Sequence, residues 1–263
     1  MDLGLKGRAA AVAAASRGLG RATARALAAE GAAVALCGRD KGRVQEAAES
    51  IAQETGARTL AVVADVGVAE QCRAFVERAA EAFGRLDILV TNTGGPKPGG
   101  FEAVGDADWD QAYRGTLGNV VHLVRAAVPH MRKNRWGRIV NITSLSAKQP
   151  IDGLVLSNAF RAAIAGLAKT LAGELGREGI LVNNVCPGYT RTDRLEELAQ
   201  VRAEAAGCTP AEILAGMAQA APLGRIAEPA EFAAVVAFLC SERASYLTGA
   251  TIPIDGGATR GLL

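Results

Sequence analysis

The sequence predicts an α/β fold, a single doubly wound parallel sheet of about seven strands with helices on both faces. Three observations predict it. Short apolar runs alternate with longer segments of helical periodicity from one end of the chain to the other. The short runs are continuous Val, Ile, Leu and Ala rather than apolar/polar alternations, as parallel strands covered on both faces must be. The first run also passes into the first helical pattern through a glycine turn, Ser16-Arg17-Gly18-Leu19-Gly20.

Strands are expected at Ala9–Ala14, Ala33–Cys37, Arg58–Ala64, Ile88–Thr91, Gly137–Thr143, Leu181–Cys186 and Thr251–Ile254. Helices are expected between them, at Gly18–Glu30, Lys41–Thr55, Val68–Phe83, Ala107–Lys133, Leu154–Gly176 and Pro229–Cys240, from apolar residues recurring at helical spacing. The charged, Ala-rich stretch 191–222 reads as helical pieces inserted after the sixth strand. At the carboxyl edge of such a sheet, it is placed to act as a substrate lid. No linker or repeat divides the 263 residues, so residues 1–263 are read as one dinucleotide-binding domain.

Composition removes several function classes. The 29 basic and 27 acidic residues are interspersed, with no basic block, which argues against a nucleic-acid partner. No apolar run approaches the roughly 18 residues of a membrane span, and the Ala-rich start is read as the first strand rather than a leader. The five cysteines are scattered and odd in number, as expected for buried thiols in a reducing cytoplasm. With two histidines in the chain, no metal site is expected.

The glycine turn carries the first chemistry. Glycines let backbone approach a pyrophosphate, and a helix N-terminus offers it free N–H groups. The second strand ends in Cys37-Gly38-Arg39-Asp40. An acidic residue there suits the ribose of NAD, and a basic one suits the extra phosphate of NADP. Arg17 and Arg39 together are placed to flank that phosphate, the competing reading being two solvated surface arginines. Asp65 and Val66 end the third strand where an adenine would lie. Thr91-Asn92-Thr93-Gly94-Gly95 ends the fourth, with Asn92 and Gly94 close to the cofactor.

These pieces, in this order, resemble the short-chain dehydrogenase/reductase family over about Leu5 to Gly257. Ala13 to Gly20 is similar to its Thr-Gly-x-x-x-Gly-x-Gly loop, and Thr91-Asn92-Thr93-Gly94 to its Asn-Asn-Ala-Gly segment. Pro187-Gly188-Tyr189-Thr190-Arg191-Thr192 is similar to its Pro-Gly-x-x-x-Thr segment. Leu247-Thr248-Gly249, Asp255-Gly256-Gly257 and Pro222-Leu223-Gly224-Arg225 complete the pattern. By pattern the chain looks most like 3-oxoacyl-acyl-carrier-protein reductases. The resemblance implies a Rossmann-like fold and hydride exchange between nicotinamide and a carbonyl or alcohol. It also implies Pro187, Gly188, Thr190 and Thr192 against the nicotinamide, and a homotetramer or homodimer paired through long helices. NADP is favoured over NAD by the two arginines.

The chain also departs from that pattern. Ala14 stands at the family's first loop glycine, where a positive φ would strain it. Ser144 matches the family's catalytic Ser, but Thr116 falls at the Asn, Ser157 at the Tyr and Arg161 at the Lys. A phenol near pKa ~10 can be drawn towards neutrality by a lysine, whereas a serine hydroxyl is a far weaker acid and Arg does not pass protons. Candidate catalytic residues are therefore Ser144, Ser157, Arg161 and, as a substitute acid, Lys148 four residues after Ser144. Tyr189 is a second substitute. Lys97, Arg191 and Arg194 are expected to ring the mouth and suit an anionic substrate. A catalytically impaired NAD(P)-binding protein with a sensing or structural role is the alternative.

Overall fold

The computed structural model describes residues 1–261. Seven parallel strands form one sheet in the order β3-β2-β1-β4-β5-β6-β7. They are β1 (Ala9–Val12), β2 (Ala33–Gly38), β3 (Thr59–Val63), β4 (Ile88–Thr91), β5 (Gly137–Ile142), β6 (Ile180–Pro187) and β7 (Thr251–Ile254). Successive side chains of a strand point to opposite faces, so an all-apolar strand needs cover on both. Leu89 and Ile139 enter one core with Phe75, Leu123 and Ile164. Ile88, Val90 and Val140 enter the other with Leu27, Ile51 and Phe232.

The first core is covered by α3 (Ala69–Phe83), α5 (Asn119–Asn134) and α6 (Val155–Leu175). The second is covered by α1 (Gly18–Ala29), α2 (Lys41–Thr55) and α9 (Pro229–Leu239). The expected 191–222 pieces are α7 (Asp193–Ala206) and α8 (Pro210–Gln219), each opened by a threonine whose hydroxyl accepts an orphan N–H of the first turn.

One expected element is broken. The helix expected over 107–133 is α4 (Asp106–Ala112), a π-helical turn at Tyr113–Gly118, and α5. Gly115 and Gly118 lie within that turn, and the Asn119 side chain donates back to the Gly115 carbonyl at 2.8 Å. Apolar periodicity runs through such a turn almost unchanged, so the pattern does not reveal it. The turn rotates Thr116 and Asn119 inward, and both are buried.

The chain runs outward from β1 through β2 to β3, then crosses back to lay β4 beside β1. The amino ends of β1 and β4 are fastened by the fully buried Asp87. Its carboxylate accepts the Ala9 N–H at 2.9 Å and two Arg85 N–H groups at 2.7 Å each, with Arg8 3.7 Å away. Removing this acid leaves the Ala9 N–H without its acceptor and Arg85 without its partner, while Arg8 keeps Glu242 at 2.6 Å. Asp87→Ala is expected to cost about 1–3 kcal/mol, seen as a lower urea midpoint with an unchanged slope.

Candidate active site

At the carboxyl ends of β1 and β4, two loops face each other across the switch point, where α/β sheets place their ligands. Ala13 N–H donates to the Val90 carbonyl and Ala15 N–H to that of Cys37. Asn92 Nδ2 donates to the Ala14 carbonyl at 3.1 Å. The backbone between these anchors is forced into the left-handed region at Ala14, with φ 46°. The strain expected from the sequence is present, and the surrounding hydrogen bonds hold it. Gly20 is closely required, since a Cβ there would lie 2.5 Å from the Ala14 carbonyl oxygen and 2.9 Å from the Asn92 amide nitrogen. A Cβ at Gly94 would meet nothing within 4 Å, which leaves an open floor.

Helix α1 begins at this turn with no side-chain cap and no acidic residue in its first turn. Its free N–H groups are thus offered to an anion from outside the chain. By contrast Asp40, the acid at the end of β2, caps α2 by accepting the Arg43 N–H at 2.9 Å. Among the described residues its neighbour Arg39 is exposed and makes no ion pair. Asp65 turns one carboxylate oxygen onto the Gly67 N–H at 2.8 Å, beside the buried Val66. The arrangement suits a dinucleotide with an additional phosphate: an uncapped helix end, an open glycine floor, and a basic residue where the acid is already used.

The hydroxyl cluster follows β5. Ser144 Oγ accepts the Ser146 N–H at 3.2 Å, and Ser146 Oγ lies 2.9 Å from Ser157 Oγ. Ser157, in the first turn of α6, is buried. Asn158 beside it holds the Ile151 N–H and carbonyl, both at 3.0 Å, and so fixes the turn above. Phe160 packs edge-on against Trp109 of α4, 5.7 Å between ring centroids. Ser146, to which sequence reasoning gave no role, is placed by the geometry as the partner of Ser157.

Arg161 lies one helical turn beyond Ser157, on the same face of α6. Its Nη1 donates to the Ile142 carbonyl at 2.9 Å, and its buried Nε has no partner. No carboxylate pairs with it among the described residues. Burial pushes its pKa down to about 10, partly offset by the Cys186 thiol, so it remains a cation at neutral pH. Asn119, which sequence reasoning did not single out, also keeps a buried Oδ1 without a partner. An isolated polar residue inside an apolar helical stretch was the one signal for it. Cys186 lies 3.1 Å from the Thr143 hydroxyl, and burial raises its pKa.

The remaining predicted residues divide. Lys148 ends the short turn after Ser144 and is half-buried. Pro187 ends β6 and Gly188 follows it, where a Cβ on Gly188 would lie 2.7 Å from Asp255 Cα. Thr190 is buried and bonds the Gly188 carbonyl, while Tyr189 is exposed. Thr192 caps α7, and its methyl carbon lies 3.6 Å from the Cβ position of Gly18. The expected ring of cations is smaller than the sequence suggests. Lys97 pairs with Asp108 at 2.9 Å, and Arg191 with Glu196 and Glu228 at 3.3 Å each. Arg194 reaches the other rim, with Nη2 3.8 Å from the Cβ position of Gly95. His130 bonds Glu77 beside a concavity of about 390 Å³ between α3 and α5, which shares no residue with the cleft.

A family model described as enoyl-(acyl carrier protein) reductase matches residues 13–259. The chain belongs to the short-chain dehydrogenase/reductase family. As a member of this family of oxidoreductases it is 37% identical to the short-chain reductase protein NovJ of Streptomyces niveus, over 94% of this chain and 92% of that one. It is 38% identical to oxidoreductase UcpA of Salmonella typhimurium, over 97% and 95%. Among solved structures it is similar to L-sorbose reductase from Gluconobacter frateurii complexed with NADPH and L-sorbose. That match has a TM-score of 0.96, 35% identity and full coverage of both chains. No helix among the described residues is long and apolar enough to cross a membrane.

Two stability predictions follow from strain and desolvation at this site. Ala14→Gly relieves a positive φ and is expected to stabilise the chain by about 1 kcal/mol, read as a higher melting temperature. Arg161→Met removes a buried charge that lacks a counter-ion. It is expected to raise stability by about 1 kcal/mol in the same assay.

Proposed function

We propose that this chain is an NADP-dependent oxidoreductase that exchanges hydride with a carbonyl or alcohol substrate, in the manner of 3-oxoacyl reductases, using an altered proton donor. The observation that carries the cofactor reading is the division of labour after β2: Asp40 is used as a helix cap, and the exposed Arg39 next to it makes no ion pair among the described residues. The NADPH complex of the similar L-sorbose reductase supports it. Ser16 to Gly20 take the pyrophosphate, and Arg17 and Arg39 the added phosphate. Asp65 and Val66 flank the adenine, and Asn92, Gly94, Pro187, Gly188, Thr190 and Thr192 lie along the nicotinamide end.

The bound cofactor supplies or accepts the hydride. In the reducing direction Ser144 and Ser157 bond the reacting oxygen, and Ser157 gives it a proton and takes another from the Ser146 hydroxyl 2.9 Å away, with water as the final proton source. Arg161 stabilises the negative charge growing on that oxygen as a fixed cation, without donating a proton itself. Lys148 and Arg194 read an anionic group on the substrate, Lys97 and Arg191 being neutralised already. The α7–α8 segment serves as the lid, and the whole chain acts as one domain in a cytoplasmic homotetramer or homodimer. A cofactor-binding protein without turnover is the second reading. It is favoured by the burial of Ser157 and its existing bond to Ser146.

Nicotinamide fluorescence tests the assignment directly. NADPH is expected to bind at least about tenfold more tightly than NADH, and Arg39→Asp to reverse the order. A mutant that keeps the NADPH preference would remove Arg39 from the site, and a chain that binds neither cofactor would defeat both readings.

A further inference from the structure

We infer that the substrate is an oxo acid whose carboxylate lies on or next to the reacting carbon, and that Arg161 binds this carboxylate through the Nε–Nη2 edge of its guanidinium. The inference rests on the hydride-transfer reading above and names a substrate class for it. Arg161 is only 6% exposed, so its charge is held inside the protein. One nitrogen is anchored, Nη1 donating to the Ile142 carbonyl at 2.9 Å. Nε is buried without a partner, and Nη2 makes no hydrogen bond to any described residue. A guanidinium carries five donors in a planar fork, and Nε with Nη2 forms an edge that takes both oxygens of one carboxylate. With Nη1 held by the strand, that edge is left free.

The anion that fits it has to come from outside the chain. A buried cation is costly unless it is paired, and no carboxylate of the described residues pairs with this one. Its charged neighbour is the Cys186 thiol, whose pKa burial raises, so the thiol stays neutral at neutral pH. Lys148 bears on the same thiol and adds positive charge rather than a counter-ion.

Position limits the size of the molecule. Ser157 precedes Arg161 by one turn on the same face of α6, with about 5–6 Å between their Cβ atoms. Ile142, which anchors Arg161, ends β5 two residues before Ser144, a backbone span of about 7 Å at most. The hydroxyls that hold the reacting oxygen and the free guanidinium edge therefore meet in one space at the end of β5. A carboxylate on the reacting carbon, or one carbon away, spans that distance. Hydride from the reduced nicotinamide adds to the carbonyl carbon, Ser157 puts a proton on its oxygen, and the carboxylate is unchanged. A 2-oxo acid thus leaves as the 2-hydroxy acid, with oxidised nicotinamide as the other product. The alkoxide forming beside the carboxylate stays within reach of the same cation.

Oxamate copies a 2-oxo acid and takes no hydride, so it tests binding without turnover. With NADPH present, oxamate is expected to raise the melting temperature, and its uncharged ethyl ester is not. Arg161→Met is expected to weaken oxamate binding about 100-fold. Arg161→Lys keeps the charge and loses the planar fork, and about a 10-fold loss is expected. The melting transition of each variant shows in the same run that it is folded. In turnover, 2-oxobutyrate and acetoacetate are expected to have KM values at least about 100-fold below that of butanone. An oxamate effect no larger than that of the ester, or oxamate binding that survives in Arg161→Met, overturns the inference. Neutral ketones with the lower KM would overturn the substrate class and leave hydride transfer standing. Failure of the unaltered protein to bind NADPH would instead overturn the NADP reading beneath it.

Discussion

Asn92 reaches from the end of β4 to the Ala14 carbonyl, and Asp87 ties the starts of the same two strands together. Between these clamps β1 and β4 are locked in register, with Ala10, Ala11 and Val12 opposite Ile88, Leu89 and Val90. Everything in the site is placed relative to that seam. The glycine turn leaves β1 and the open Gly94 floor leaves β4. The serines follow β5, the neighbour of β4. A one-residue slip would turn each strand's side chains to the wrong core and carry the Ala14 turn away from Asn92. The register is therefore both a packing constraint and a positional one.

The site is less stable than the fold that carries it. Ala14 occupies a backbone conformation suited to glycine, held by hydrogen bonds from both neighbouring strands. Arg161 sits buried with no carboxylate beside it, one unpartnered N–H, and a pKa drawn down by desolvation. Both features cost stability, and the large apolar cores on the two sheet faces offset them. A buried cation that the chain does not neutralise is useful where negative charge appears during reaction.

Much of this was legible in the sequence. The strands were, because all-apolar runs such as Ile88-Leu89-Val90 have few other places to go. The glycine turn between β1 and α1 was, because glycines between a strand and a helix meet a specific backbone need. The π-turn at Tyr113–Gly118 was not, since its extra residue leaves apolar spacing nearly intact. Nor could charge partners be read from residue type. The sequence offered Arg39 and Asp40 as alternatives, and only geometry showed the aspartate turned onto Arg43 N–H. The same holds for Lys97 and Arg191, whose partners Asp108, Glu196 and Glu228 remove them from the free cations of the mouth. The reading that sets Ser157 and Arg161 at the family's Tyr and Lys positions came from the sequence alone. Its consequence, a linked pair of serine hydroxyls beside an uncompensated guanidinium, required the fold.

The central claim is that hydride transfer proceeds here with no phenol or amine acting as the acid. The most direct measurement is the rate of NADPH oxidation, followed by absorbance, against a panel of ketoses, aldehydes and 3-oxoacyl thioesters from about pH 6 to about pH 10. Serine hydroxyls do not titrate in that range, and Arg161 loses its proton only near pH 10. The rate is therefore expected to stay level through neutrality and to fall only as pH rises towards about 10. A limb in the neutral range would show a titrating donor other than the serines, and that limb, or the absence of turnover on any carbonyl, is the result that would contradict the account.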